Sequence, residues 1–152
     1  MLKKERFKLM CAAYLIVKNG DKILFSLRQN TGFMDGYWSL IAGHLDGKES
    51  ITAACIREAA EEAGMELNVK DVKPMCMMHR LSLVGEVEAQ EYVDGFFMVE
   101  DYNKRLVNNE PNKCGKLEFF SIGDFPDNII PFVRVGIENS LKGVHYCEYG
   151  WN

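Results

Sequence analysis

The chain has 152 residues and a mass of 17.3 kDa, the size of one ordinary domain. Its 47% hydrophobic and 26% charged residues, with a formal net charge of −4, are the average globular mix and exclude disordered, collagen-like and coiled-coil chains. No apolar run approaches the roughly 20 residues of a membrane helix, and the opening MLKKERFKLM lacks a following apolar h-region, so neither a membrane span nor a signal peptide is expected.

Residues 11–28, CAAYLIVKNGDKILFSLR, set two apolar runs around Asn19-Gly20, a pair that accepts positive φ, and predict a hairpin turning there. Residues 31–37 hold two glycines and an aspartate and read as a loop, and 37–42 as a short strand. Residues 50–63 have helical composition and stop at Gly64. Strands are predicted over 75–84, 92–99 and 116–122, with a polar loop over 103–115. Pro131 opens a second helix that runs to about Leu141 and stops at Gly143. The aromatic tail, Tyr146 to Trp151, is expected to pack back on the domain or at a dimer contact. Strands with two helices, and no βαβαβ alternation, predict one domain of the mixed α/β sandwich class.

Charge is distributed unevenly. Residues 43–65 carry five acids and two bases, a net of −3, which leaves only −1 for the rest of the chain. A local acidic cluster points to a bound cation. No basic run follows the first few residues, so long nucleic acid is not an expected partner. The five cysteines form no CxxC pair and are odd in number, which is neither a zinc pattern nor a disulfide framework. They predict buried thiols in a reduced, cytoplasmic protein.

On the helix over 50–63, Ile51, Ala54, Cys55, Glu58, Glu61 and Glu62 share one stripe at spacings i, i+3, i+4, i+7, i+10 and i+11. Its first half is apolar and its second half is three carboxylates. Ile56, Ala59, Ala60 and Ala63 form a second apolar face, so the helix is expected to be packed on most of its circumference. Three anions one turn apart repel by about 0.2–0.5 kcal/mol per pair on an exposed helix, and by more in a partly dry wall. They also sit near the helix C-terminus, where the dipole disfavours negative charge. A divalent cation removes all three penalties, and hard oxygen ligands suit Mg²⁺ or Mn²⁺. A solvated acidic face is the other reading of the helix taken alone.

The flanks extend the pattern. Gly43 is followed after five residues by Glu49, then after seven by Arg57-Glu58, then by Ala59-Ala60-Glu61-Glu62-Ala63-Gly64-Met65. This 23-residue segment resembles the Nudix box and matches all seven of its fixed polar or glycine positions. At residue frequencies of ~6–7%, a chance match is on the order of one in a million.

The resemblance implies a Nudix-type α/β/α sandwich with a mixed β-sheet, in the MutT-related branch. It implies a hydrolase that cuts a phosphoanhydride in a nucleoside diphosphate-linked substrate with Mg²⁺ or Mn²⁺, as a monomer or homodimer with no membrane partner. By position, Glu61 and Glu62 correspond to the main metal ligands and Glu58 to a further ligand or water-orienting group. Arg57 corresponds to the arginine that holds the box carboxylates, and Glu49 to the glutamate that braces it. Gly43 corresponds to the glycine beside the metal, and the carbonyl just before it, on Ala42, often ligates metal in the family. Ala42, where many members have glycine, and Ala59, where the apolar residue is usually branched, are mild departures.

The box leaves the general base open. Glu110, in the polar loop, is the candidate; Glu86, Glu88 and Glu91 are rivals, and a solvated loop acid is the plain alternative. Arg28 and Lys113 are candidates for contact with phosphate or nucleoside. Phe33, Tyr37 and Trp38 either stack on a base or pack locally. His44 is expected to be structural, Met75 to Met78 to fill the core, and His79 and Arg80 to end a strand near the pocket. The family's marker residues past the box for ADP-ribose or dinucleoside polyphosphate hydrolysis are absent, since Arg80, Leu81 and Ser82 stand there. That leaves a nucleoside triphosphate, standard, oxidised or otherwise modified, as the expected substrate. A longer chain and a modified box mark isopentenyl diphosphate isomerases of this fold. A non-catalytic nucleotide sensor is the main alternative; such proteins often lose box glutamates, and none is missing here.

Overall fold

The computed structural model describes residues 2–83 and 89–152. In chain order the strands are β1 (Met10–Asn19), β2 (Lys22–Arg28), β3 (Trp38–Ser39), β4 (Ile41–His44), β5 (Lys73–Ser82), β6 (Gln90–Glu100), β7 (Cys114–Ser121) and β8 (Tyr146–Tyr149). The helices are α1 (Ile51–Ala63) and α2 (Pro131–Leu141), and a 3₁₀ turn spans Val69–Asp71. Among the described residues, no helix is long and apolar enough to cross a membrane.

β1 is the axis of the sheet. It pairs in parallel with β6 along all but its last residue, Met10 opposite Tyr92 through Lys18 opposite Glu100. On its other edge the sheet forks: β4 takes Ala12 to Leu15, and β2 takes only Lys18 and Asn19 before swinging away to pair with β7 and β3. β5 continues the sheet beyond β6, and β8 covers the outer edge of β5 in parallel. The hairpin forms one residue later than its sequence predicts. Asn19 stays in β1 opposite Lys22, the loop is Gly20-Asp21, and of these only Gly20 takes positive φ, at 59°.

Both faces of β1 are buried, which explains its nearly continuous apolar run. Ala13, Leu15 and Val17 face α1, while Ala12, Tyr14 and Ile16 face the α2 side. α1 meets the sheet through Ala54, Cys55, Ala59 and Ala63, all fully buried and all small, so the helix lies close to the strands. Ala60 is exposed rather than packed, so the second apolar face of this helix is narrower than its composition suggests. Ser50 caps its start by accepting from Ala53 N–H at 3.0 Å, and Gly64 ends it in the left-handed region at φ 64°.

The aromatic tail becomes β8, and Trp151 donates its ring N–H to the His79 carbonyl at 3.0 Å. The predicted 37–42 strand is two pieces, β3 and β4, with Leu40 between them. Met78 fills the core, but Met77 alternates outward and is 37% exposed. All five cysteines are free thiols, although the fold brings the Cys76 and Cys147 sulfurs to 3.7 Å across β5 and β8.

α2 packs through Gly136 directly onto Phe96, and a Cβ at Gly136 would overlap the ring. Alanine gains ~1 kcal/mol over glycine in helix propensity. Overpacking a filled core costs roughly 1–3 kcal/mol. Overlap with an aromatic ring belongs at the upper end, so Gly136→Ala is expected to lower the melting temperature by several degrees. An unchanged or raised melting temperature would show that this contact yields easily.

Candidate functional site

The fork in the sheet opens a cavity of about 850 Å³. Its walls come from both prongs, from the carboxylate half of α1, from the loop before β7, and from the sheet face under α2. Ser26 and Arg28 of β2 line one side, Ala42 to His44 of β4 another, and Glu58, Glu61 and Glu62 of α1 a third.

Arg57 organises the acids. Its Nε and Nη2 clasp both oxygens of Glu49 at 3.0 and 2.8 Å, its Nη1 donates to Glu58 at 2.7 Å, and the same nitrogen lies 3.4 Å from Glu61 and from Asp46. Nη2 also donates to the His44 carbonyl at 3.3 Å, which ties the loop before α1 to the helix. The structure thus brings together Arg57 and Glu49, the two residues expected to pair. The Arg57 guanidinium, then the Asp46 N–H, hold the Glu49 carboxyl at about 2. Glu49 and Glu58 in turn hold Arg57 protonated well above its ordinary value.

Glu58 and Glu62 turn inward, while the Glu61 side chain is half exposed. Gly43 allows the inward turn: a Cβ there would fall inside the Glu58 carboxylate. Glu62 accepts the Ala42 N–H at 3.0 Å, so Ala42 is fastened to the acid with which it was predicted to share a ligand. Burial first, and Glu58 second, push Glu62 up to about 9. Burial likewise raises Glu58, against the pull of Arg57. Two inward carboxylates that cannot both ionise comfortably form a hard-oxygen donor set that fits a divalent cation. Among the described residues, no three acid, histidine or cysteine side chains are already closed around one point. Arg57 draws Glu58 and Glu61 to one side and the Ala42 N–H draws Glu62 to the other.

The polar loop reaches this site through the helix end. The last carbonyls of a helix lack intrahelical partners. Here Val107 N–H donates to Ala63 O at 3.0 Å, Asn109 N–H to Glu62 O at 3.1 Å, and Asn109 Nδ2 to Ala60 O at 3.3 Å. A tight turn follows, in which the Lys113 and Cys114 N–H groups both donate to Glu110 O. Docked in this way, Glu110 lines the cavity and its charge acts on both Glu58 and Glu62. Of its rivals, Glu91 lies 3.3 Å from His79 and does not line the cavity, and Glu86 and Glu88 lie outside the described residues.

Arg28 and Lys113 both line the cavity. Arg28 also shapes it, donating from Nε to Phe33 O at 2.8 Å and from Nη2 to Thr31 Oγ1 at 2.9 Å. Phe33 lines the cavity under Arg28. Trp38 is buried edge-on against Phe120, and Tyr37 lies off the cavity wall, so neither offers a free stacking face there. His44, expected to be structural, is part of the wall. Sequence reasoning missed Tyr14, Asp94, Tyr92 and Phe132 around Arg80. Their only sequence signal is a lone aspartate inside the apolar 92–99 strand, two rungs from the arginine of the neighbouring strand.

The family model described as NUDIX domain matches residues 8–138. The nucleoside triphosphatase NudI of Salmonella schwarzengrund (strain CVM19633) is 30% identical over 81 residues, 53% of each chain, so the chain spans about half the length of the curated relatives it matches. The MutT NUDIX hydrolase from Burkholderia pseudomallei superposes with a TM-score of 0.76 at 20% identity, over 88% of this chain and 98% of that one. The NUDIX domain of Shewanella oneidensis NrtR, solved with ADP ribose, superposes with a TM-score of 0.72 at 15% identity, over 90% and 89%. These structures share the fold.

The Glu49–Arg57 clasp has a pH signature. The Glu49 carboxyl is held at about 2, below the ordinary 4.5. The clasp therefore contributes stability above pH ~4.5 that is lost as pH falls towards 2. Thermal melts of the wild type and Glu49→Gln are expected to differ most at neutral pH and to converge over that acid range. Curves that stay parallel from pH 7 to pH 2 would contradict the clasp.

Proposed function

This chain belongs to the Nudix family, and we propose that it is a divalent-cation-dependent hydrolase that cuts a nucleoside triphosphate into the monophosphate and pyrophosphate. The observation that carries this reading is the meeting of three acids, Glu58, Glu62 and Glu110, with two cations, Arg28 and Lys113, in one cavity large enough for a nucleotide. The names of the NudI relatives support a triphosphate substrate.

Glu58, Glu61 and Glu62, with the Ala42 carbonyl, would hold Mg²⁺ or Mn²⁺. When bound, such an ion neutralises diphosphate charge and lowers the pKa of coordinated water. The remaining work falls to the chain. Arg57 keeps Glu58 aimed into the cavity and Glu49 keeps Arg57 from swinging out. Arg28 and Lys113 offset the charge of the phosphate chain, which the acidic helix alone would repel. Glu110 accepts the proton of the attacking water as its oxygen bonds to phosphorus, and the anhydride P–O bond breaks to release pyrophosphate. Glu49 and Arg57 act through the carboxylates they hold, and the geometry supports a positioning role for both. A nucleotide sensor on this fold would need none of the box acids, and the chain retains them all.

Two outcomes follow. Glu62→Gln should lower kcat at least a hundredfold while the metal-free melting temperature stays within a few degrees, because the buried Glu62 already favours its protonated form. Turnover near wild type would remove Glu62 from the metal site. Saturating Mg²⁺ should also raise the wild-type melting temperature, with ~2.7 kcal/mol of stabilisation at a hundredfold excess over Kd, and Glu62→Gln should lose most of that gain. A wild-type melt indifferent to Mg²⁺ and Mn²⁺ at activity-saturating concentrations argues against cation binding on α1.

A further inference from the structure

The cavity has a second polar end, on β5 and β6, where the His44 ring of β4 comes within 6.0 Å of the Tyr92 ring. Arg80 of β5 sits there and is 5% exposed. Its guanidinium is sandwiched between two rings, 4.1 Å from the Tyr92 centroid and 3.8 Å from that of Phe132. One edge is taken by Asp94, which is fully buried: Nε donates to Oδ2, and Nη2 to Oδ1 at 3.3 Å. Both faces and one edge are thus occupied. The remaining edge carries Nη1, which has no hydrogen-bond partner among the described residues and is not among their sealed, unpaired atoms. Arg80 lines the cavity.

A buried pair this well fixed is costly to desolvate and is weak as a source of stability. Its geometry suits recognition. The guanidinium cannot rotate, so its open N–H groups form a rigid donor edge. Asp94 balances its charge, which removes the attraction for another phosphate and leaves hydrogen-bond direction as the selective property. Asp94 is sealed behind the guanidinium and offers no acceptor to a ligand. Tyr14, His44, Ser82 and Gln90 line the same cavity, and the side chain of each can donate or accept. Arg80 alone among these groups has a fixed hydrogen-bond sense.

We propose that Arg80, pinned by Asp94 and clamped between Tyr92 and Phe132, is the specificity-determining residue for the nucleobase and selects bases that present a ring carbonyl over bases that present an exocyclic amino group at the same position. This inference rests on the nucleotide reading of the cavity. A carbonyl oxygen accepts from the donor edge. An amino group meets it donor to donor and leaves buried N–H groups unpaired on both sides. Hypoxanthine and uracil fit this rule, and adenine and cytosine, their amino counterparts, do not.

The test uses those isosteric pairs and requires no turnover. Metal-free wild-type protein is titrated calorimetrically with IMP against AMP and with UMP against CMP. The carbonyl member is expected to bind about ten- to a hundredfold more tightly in at least one pair. Equal affinities, an amino preference, or no saturable binding of any of the four would overturn the proposal. Arg80→Lys retains a cation beside Asp94 but loses the planar edge, and it should bring the ratio to within twofold. A purely structural role would weaken both members equally and leave the ratio intact, which would remove Arg80 as the selector. Should this variant fail to fold, the wild-type ratios still decide. Hydrolysis of ITP, ATP, UTP and CTP is measured separately. Turnover of all four without preference defeats this inference and spares the hydrolase, whereas selective binding without turnover does the reverse.

Discussion

The site depends on one guanidinium. Three glutamates within five positions of a helix, at its electronegative end, are an unfavourable arrangement that packing alone would resolve by turning them to solvent. Arg57 prevents this by offering its fork to Glu49 and Glu58 at once, so that one inward carboxylate is held by an ion pair rather than by a void. Lysine, with a single point of charge, could not span both partners in a fixed plane. Gly43 supplies the space into which Glu58 is held, and the Ala42 N–H is the one donor to Glu62 among the described residues. The strand, the loop and the helix are matched around this charge problem.

The same features explain why this region was so readable. Every partner in it lies within about twenty residues along the chain, and the chemistry depends on residue types at fixed helical spacing. The caps at Ser50 and Gly64 and the proline-opened α2 follow from equally local rules. The hairpin was legible, but its turn was not, because Asn19 pairs with Lys22 and its side chain donates to the carbonyl of Tyr102, far along the chain.

What sequence concealed is non-local. Nothing near Glu110 announces that its loop will satisfy the carbonyls at the end of α1, some fifty residues earlier, as the Asn109 contacts do. Arg80 reads as the end of an apolar strand and Asp94 as an oddity within another. Only the antiparallel register of β5 and β6 brings them together under Tyr92. Phe132 arrives from α2, on the far side of the sheet from the acids. Trp38, a natural candidate for base stacking, is consumed by Phe120. Aromatic residues are legible as buried mass, but whether a ring face stays open depends on neighbours that sequence spacing does not identify.

The parallel pairing of β1 with β6 also governs how this molecule reaches its shape. Met10 meets Tyr92 across 82 intervening steps of chain, and β2 meets β7 across as many as 99, from Lys22 to Ser121. Loop closure over such spans must be met before any pairing rewards it, and sheets of this kind refold in roughly milliseconds to seconds. The β1–β2 turn and α1 involve only near neighbours and form much sooner. Until those pairings close, the acidic segment lacks the strand that shields it and the loop that caps it. In that interval its charge is an asset: the segment most exposed to chance encounters with other chains is the one that repels them.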